Sequence, residues 1–205
     1  MKWIDISHIL DNDTPLYPRD YHTSIEPYQH METDGYNACL LKTCMHTGTH
    51  VDMPMHLIAD ERTADQFPLD GFAGRGVLLD VRGENPIPMR DEYRKMDFEG
   101  AVVLLYTGFG DRYKEPGYFT DHPSVSAELC AFLLSQQIKM LGMDAPAPDH
   151  PPFEFHKALL REGIFVLENA ANLGALLGAG DFEVMAFPLK IAAEASLVRA
   201  VCRII

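Results

Sequence analysis

The sequence predicts an α/β fold, a single domain over residues 1–205 on a mixed sheet with more strand than helix. Three observations predict it. Four short apolar runs have the length of buried strands: RGVLLDV (75–81), GAVVLLYTG (100–108), IKMLGMD (138–144) and GIFVLEN (163–169). Helical patterns lie between some of them. Two final apolar segments, FEVMAFPLKI (182–191) and SLVRAVCRII (196–205), read as a β-hairpin.

The elements follow in order. WIDISHIL (3–10) alternates apolar and polar residues and reads as a strand. DNDTPLYPRD (11–20) is rich in Asp and Pro and reads as a loop. NACLLKTCMHTGTHVDMP (37–54) reads as extended chain, with β-branched residues at 43, 47, 49 and 51. SVSAELCAFLLSQQ (124–137) is a helix opened by Ser124 or Ser126, with Glu128 in its first turn. FHKALLREG (155–163) is a helix closed by Gly163, and AANLGALLG (170–178) a short one that also ends on glycine. Asp80, Thr107, Asp144 and Glu168 end apolar runs, where α/β folds gather ligands and where turns also favour Asp and Thr.

Composition excludes several functions. The apolar fraction of 47% and charged fraction of 23% are those of a globular domain, and the net charge of −13 argues against a nucleic-acid partner. The first residues lack the apolar core of a signal peptide, and no apolar run is long enough to span a bilayer. The expectation is a cytoplasmic protein without a membrane partner. Cys39, Cys44, Cys130 and Cys202 lack CxxC spacing and read as free thiols. Cys39 and Cys44 lie near a histidine cluster, yet a small core residue is the expected role for them over a metal ligand.

That cluster, HTGTHVDMPMH (46–56), holds three of the nine histidines. His46, His50, Asp52 and His56 share even parity, so an extended chain would point all four to one face. Gly48 and Pro54 oppose a helix there. Imidazole and carboxylate are donors that Zn²⁺ or Mn²⁺ accepts. Two His and one Asp leave a coordination position open, and an Asp can bridge two ions. His56 is then free to move a proton.

The stretch resembles the HxGTHxDxPxH signature of the metal-dependent cyclase family, which includes kynurenine formamidases and isatin hydrolases. Every signature position is met: His46, Gly48, Thr49, His50, Asp52, Pro54 and His56. The likeness continues through WIDISHIL, TPLYP, YTGFG, HPSVS, GMDAPAPD and FEVMAFPLKI. It implies a swivelling β/β/α fold. It implies that His46, His50 and Asp52 bind metal, that Asp52 bridges to a second ion, and that His56 is the proton shuttle. Two further ligands are implied by a His followed twelve residues later by Glu, a spacing met by His156 and Glu168. Tyr17 would line the substrate pocket; it departs from the family's Trp, and Ala147 stands where relatives often have Ser. Gly142, Asp144 and Asp149 would shape or support the site.

The implied activity is metal-dependent hydrolysis of an amide C–N bond, with N-formylkynurenine, cleaved to kynurenine and formate, as first substrate. A cyclic amide or lactone such as isatin is the alternative. A reading of another class is a non-catalytic protein binding metal or a small molecule. The cofactor would be one or two divalent ions, Zn²⁺ first and Mn²⁺ second. Partners would be a small-molecule substrate and further copies of the chain, in a homodimer or homotetramer.

Overall fold

The central runs are apolar on both faces, and they form the part of the sheet that is covered on both sides. In the computed structural model, which describes residues 2–205, β5 (Ala73–Asp80), β6 (Val102–Tyr106), β7 (Met140–Met143) and β8 (Phe165–Glu168) lie parallel in that order. Side chains sort by parity. Val103, Leu105, Leu141, Met143 and Val166 join a core layer with Leu129, Leu133, Leu159 and Leu160 of the helices α2 (Ala127–Ser135) and α3 (Glu154–Arg161). Val102, Leu104, Met140, Phe165 and Leu167 face a second core on the other side. Ser126 caps α2, its hydroxyl accepting the Leu129 amide at 3.2 Å, and Gly163 follows α3 at φ +74°.

Antiparallel strands extend both edges. Beyond β8 come β4 (His50–Asp52) and β10 (Ala195–Leu197); beyond β5 come β9 (Phe182–Met185), β11 (Val201–Ile204) and β1 (Lys2–Asp5). In this order β10 and β11 stand seven places apart, about 34 Å in a flat sheet. The chain has four residue steps between Leu197 and Val201, which reach roughly 15 Å at most. The sheet must therefore curl. Hydrogen bonds stitch the closure: Ile6 N to Ala200 O at 3.0 Å, Ala171 N to Ile6 O at 2.8 Å, and Val198 N to Thr49 O at 3.1 Å. Ile4, Ile6, Val51, Met53, Phe72 and Cys202 fill the inside of the curl.

The N-terminal strand is shorter than its alternation predicts. It ends at Asp5, with an isolated bridge between Ser7 and Ala170, although Ile4 and Ile6 both turn inward. The extended stretch 37–54 is interrupted: β3 (Ala38–Lys42) and β4 are separated by a turn through Gly48 at φ +64°. β3 pairs with β2 (Ser24–Gln29), with the single helical turn α1 (Met31–Asp34) between them, in a separate two-stranded sheet. Cys39 on β3 is exposed and Cys44 partly so; neither is a core residue, because this arm lies off the main sheet. Residues 170–178 contain a 3₁₀ turn, Leu173–Leu176, in place of the expected α-helix. At the C-terminus β9 and β11 do pair antiparallel, but residues 196–205 split in two, and β10 pairs with β4 instead. Among the described residues no helix is long and apolar enough to cross a membrane.

Candidate metal centre

Core packing fixes which way the motif points. Val51 and Met53 are fully buried inside the curl, so His50 and Asp52 face the opposite side of β4, beneath α3. The antiparallel register sets His50 against Glu168 and Asp52 against Val166. Glu168 shares its face with Val166, the helix side. His156, in the first turn of α3, descends onto the same spot. The Asp149 carboxylate holds that turn by accepting the Phe155 amide at 2.8 Å.

Shared parity therefore accounts for His50 and Asp52 but not for the other two histidines. His46 lies before β4, in the turn through Gly48, and His56 lies after it, in the 3₁₀ turn Pro54–His56. The turns bring both back to the strand's outward face. The His46 and His56 rings lie with centroids 4.0 Å apart and their planes tilted by 37°, and His46 stands edge-on to His50 at 5.2 Å.

Two clusters result, and Asp52 belongs to both. His46, His50 and Asp52 form one; Asp52, His156 and Glu168 form the other. His46 Nδ1 lies 2.9 Å and His50 Nε2 3.4 Å from Asp52 Oδ1. His156 Nε2 lies 3.3 Å from Asp52 Oδ2, and His50 Nε2 3.3 Å from Glu168 Oε2. These atoms are close but not aligned as hydrogen bonds. Both Asp52 oxygens, His50 Nε2 and His156 Nε2 are buried without a hydrogen-bond partner. Unpartnered buried polar atoms are costly unless something else satisfies them. Lone pairs of three imidazoles and two carboxylates converging on two points fit divalent cations.

Titration follows from the same crowding. Burial opposes charge on His46 and His50, yet the Asp52 carboxylate outweighs it and raises them to about 9 and about 10. Burial would raise Asp52, but His46 and His50 hold it well below the usual carboxylate range. Glu168 is pushed up by burial and by the charge of Asp52. His56 differs: burial dominates over the pull of Asp52 and lowers it to about 4.

The surroundings lock these side chains. Gly48 O lies 2.8 Å from His50 Nδ1 and also accepts from Asn169 Nδ2 at 3.0 Å. Thr49 Oγ1 donates to Asn169 O at 2.6 Å, and Tyr118 OH donates to Asn169 Oδ1 at 2.9 Å. The motif's Gly and Thr thus tie its turn to the end of β8. Such outer contacts fix a ligand's tautomer and orientation. The sequence reading missed Asn169, whose one signal is that it follows Glu168 at a strand end. It also missed Glu194, 3.3 Å from His46 Nε2, which no local pattern marks.

Above the clusters opens a cavity of about 210 Å³. Tyr17, Phe119, Leu57 and Phe153 supply apolar wall, and His56 and Ala147 also border it. Tyr17 meets Phe119 edge-on at 5.7 Å. The expected supporting aspartates hold backbone. Asp144 accepts from Thr107 N, Thr107 Oγ1 and Gly108 N, which fixes the turn after β6, while Asp149 fixes the start of α3.

Residues 4–150 match the cyclase family model. The chain belongs to the cyclase family. It is 32% identical to kynurenine formamidase of Bacillus mycoides (strain KBAB4), over 98% of this chain and 97% of that protein. Kynurenine formamidase of Bacillus anthracis is likewise 32% identical over the same shares. Full-length likeness to these enzymes makes the chain a hydrolase of this type. The fold matches a crystal structure of an isatin hydrolase bound to the product analogue thioisatinate, with a TM-score of 0.85 at 22% identity, covering 98% of this chain and 91% of that one. Isatin hydrolase A from Labrenzia aggregata, bound to benzyl benzoate, gives 0.82 at 23% identity over 98% and 93%. The curled mixed sheet is therefore a cyclase-family fold, as the resemblance implies.

Proposed function

We propose that this chain is a metal-dependent amidohydrolase that cleaves N-formylkynurenine to kynurenine and formate. One observation carries the reading: two three-residue clusters share the buried, hydrogen-bond-free Asp52 at the floor of an aromatic-walled cavity. His46, His50 and Asp52 would hold one divalent ion, and Asp52, His156 and Glu168 a second. Zn²⁺ is the first choice and Mn²⁺ the second, since His and carboxylate ligands accept both. A bound ion would polarise the amide carbonyl and lower the pKa of water.

The chain's own groups do the rest. Tyr17 and Phe119 hold the aryl ring against the wall, which points the formamide toward the clusters. His56, kept neutral by burial, accepts a proton as water adds to the carbonyl and returns it to the leaving nitrogen. The likeness to kynurenine formamidases over the full length supports the substrate. Tyr17, where the resemblance implies Trp, keeps a stacking face of smaller area and adds a hydroxyl. We place the enzyme in the cytoplasm as a homodimer or homotetramer, with no nucleic-acid or membrane partner.

The test combines elemental analysis with turnover. The purified chain is expected to carry at least one divalent ion and to hydrolyse N-formylkynurenine faster than isatin. Faster turnover of isatin would move the assignment to cyclic amides. Bound metal without turnover of either compound or of simple aryl formamides would leave a binding protein. Less than one ion per chain in metal-replete buffer would remove the site.

A further inference from the structure

A histidine that binds a metal through one nitrogen leaves its other N–H to be satisfied, and the acceptor it finds fixes the ring. For His50 that acceptor is a backbone carbonyl: Gly48 O sits 2.8 Å from Nδ1, while Nε2 turns toward Asp52 and Glu168. His46 has the reverse arrangement. Its Nδ1 lies 2.9 Å from Asp52 Oδ1, and its Nε2 lies 3.3 Å from Glu194 Oε1. Glu194 therefore occupies, for His46, the place that a backbone carbonyl occupies for His50.

Its position is built in. Glu194 precedes β10, next to the pairing of Ala195 with Asp52, and its carbonyl accepts the Met53 amide at 3.0 Å. The neighbouring Ala193 carbonyl accepts the Ala64 amide at 3.0 Å. The backbone is thus held on both sides of the carboxylate. Of the two motif histidines beside Asp52, His46 is the one that meets solvent, its side chain 21% exposed against 1% for His50. Water would compete for its outer N–H, and a charged acceptor resists that competition better than a neutral one. A carboxylate behind the imidazole also raises its basicity toward a cation.

We propose that Glu194 is a positioning residue of the metal centre: it takes the Nε2–H of His46 and leaves Nδ1 to the ion. The inference rests on the metal-binding reading above. It is tested by measuring the Zn²⁺ dissociation constant against a chromogenic chelator for the parent, Glu194→Ala, Glu194→Gln, His46→Ala and the double variant Glu194→Ala/His46→Ala. Glu194→Ala is expected to weaken binding by about 10–100-fold. Glu194→Gln, whose amide oxygen still accepts, should lose less. In the His46→Ala background, removing Glu194 should change affinity less than roughly twofold, because the pair acts as a unit. Affinity of Glu194→Ala within twofold of the parent, or equal losses with and without His46, would overturn the proposal. A parent that binds no Zn²⁺ overturns the metal reading itself, whereas a binding parent with an unaffected Glu194→Ala overturns this inference alone. A second measurement needs no variant. Nitrogen-15 shifts of the Zn²⁺-loaded parent should show His46 bound through Nδ1 and protonated at Nε2, and the opposite pattern would sink the assignment.

Discussion

Replacing His56 by alanine separates proton transfer from metal binding. His56 is in neither cluster, so both ligand sets survive the change. Its ring lines the cavity and lies tilted against His46 at 4.0 Å between centroids. General acid–base groups contribute on the order of 10²–10⁴-fold in rate. Burial lowers His56 to about 4, so at pH 7 about one ring in a thousand is protonated. It is then a weak base that is always in its accepting form. Brønsted behaviour places such a group in the lower part of the range. We expect kcat to fall about 10²–10³-fold, or roughly 3–4 kcal/mol in barrier, with KM changed only a few-fold. Initial rates of formamide hydrolysis at pH 7.5, on protein whose metal content is measured in the same sample, provide the assay. A rate within twofold of the parent at full metal load would refute the shuttle. A rate lost together with the metal would refute its separation from the ligand set.

Metal should stabilise the fold, because the partnerless polar atoms of His50, Asp52 and His156 gain a partner; at 100-fold above Kd the gain is about 2.7 kcal/mol, or roughly 5–10 °C in Tm, and an unchanged melt on chelation and reloading would count against the site. Burial and the His150 ring stacked at 4.0 Å hold His122 down to about 4. Because the unfolded chain binds this proton more readily, its contribution is whole above pH 6.5 and is lost as pH falls toward 4. His122→Asn should therefore remove about 2 kcal/mol of the acid destabilisation seen at pH 5 in denaturant melts, and parallel stability curves for the two proteins would contradict this. Gly48 sits at φ +64°, and an added Cβ would meet nothing closer than 3.8 Å. Gly48→Ala should accordingly cost only backbone strain, about 1–2 kcal/mol, read by thermal melts; an unaltered Tm would show that the turn does not need the left-handed conformation.

How much of this was legible depends on the range of the forces involved. The parallel core strands announce themselves because burial on both faces leaves unbroken apolar runs such as VVLLY. Helix α2 was legible through its cap, a contact three residues long. The separation of β10 from β11 was not, since it follows from closure of the curl, which no local pattern encodes. The arm was missed for a related reason: the burial of β2, Ser24–Gln29, never alternates, because it packs outside the main core. In the site, the motif residues and the spacing from His156 to Glu168 could be quoted from the chain. Glu194 and Asn169 could not, for their partners His46 and Gly48 lie more than a hundred residues away.

The parity argument holds for His50 and Asp52 because of the residues between and beside them. Val51 and Met53 are fully buried in the curl, and a one-residue slip of β4 against β8 would exchange them for the ligands. Such a slip would place two charged groups in an apolar core, a penalty of several kcal/mol at least, and would carry Val51 and Met53 out of it. The hydrophobic effect therefore sets the register that opposes His50 to Glu168. His46 and His56 have no such enforcement, lying in turns on either side of the strand. The position of His46 depends on the left-handed Gly48, the Asn169 contact to Gly48 O and the carboxylate of Glu194, whereas His56 is held in its turn by its amide donating to Met53 O at 3.0 Å. The centre thus has a core-enforced half and a hydrogen-bonded half. Substitutions in the first half should threaten the fold, whereas those in the second should change metal affinity and turnover while the fold stands.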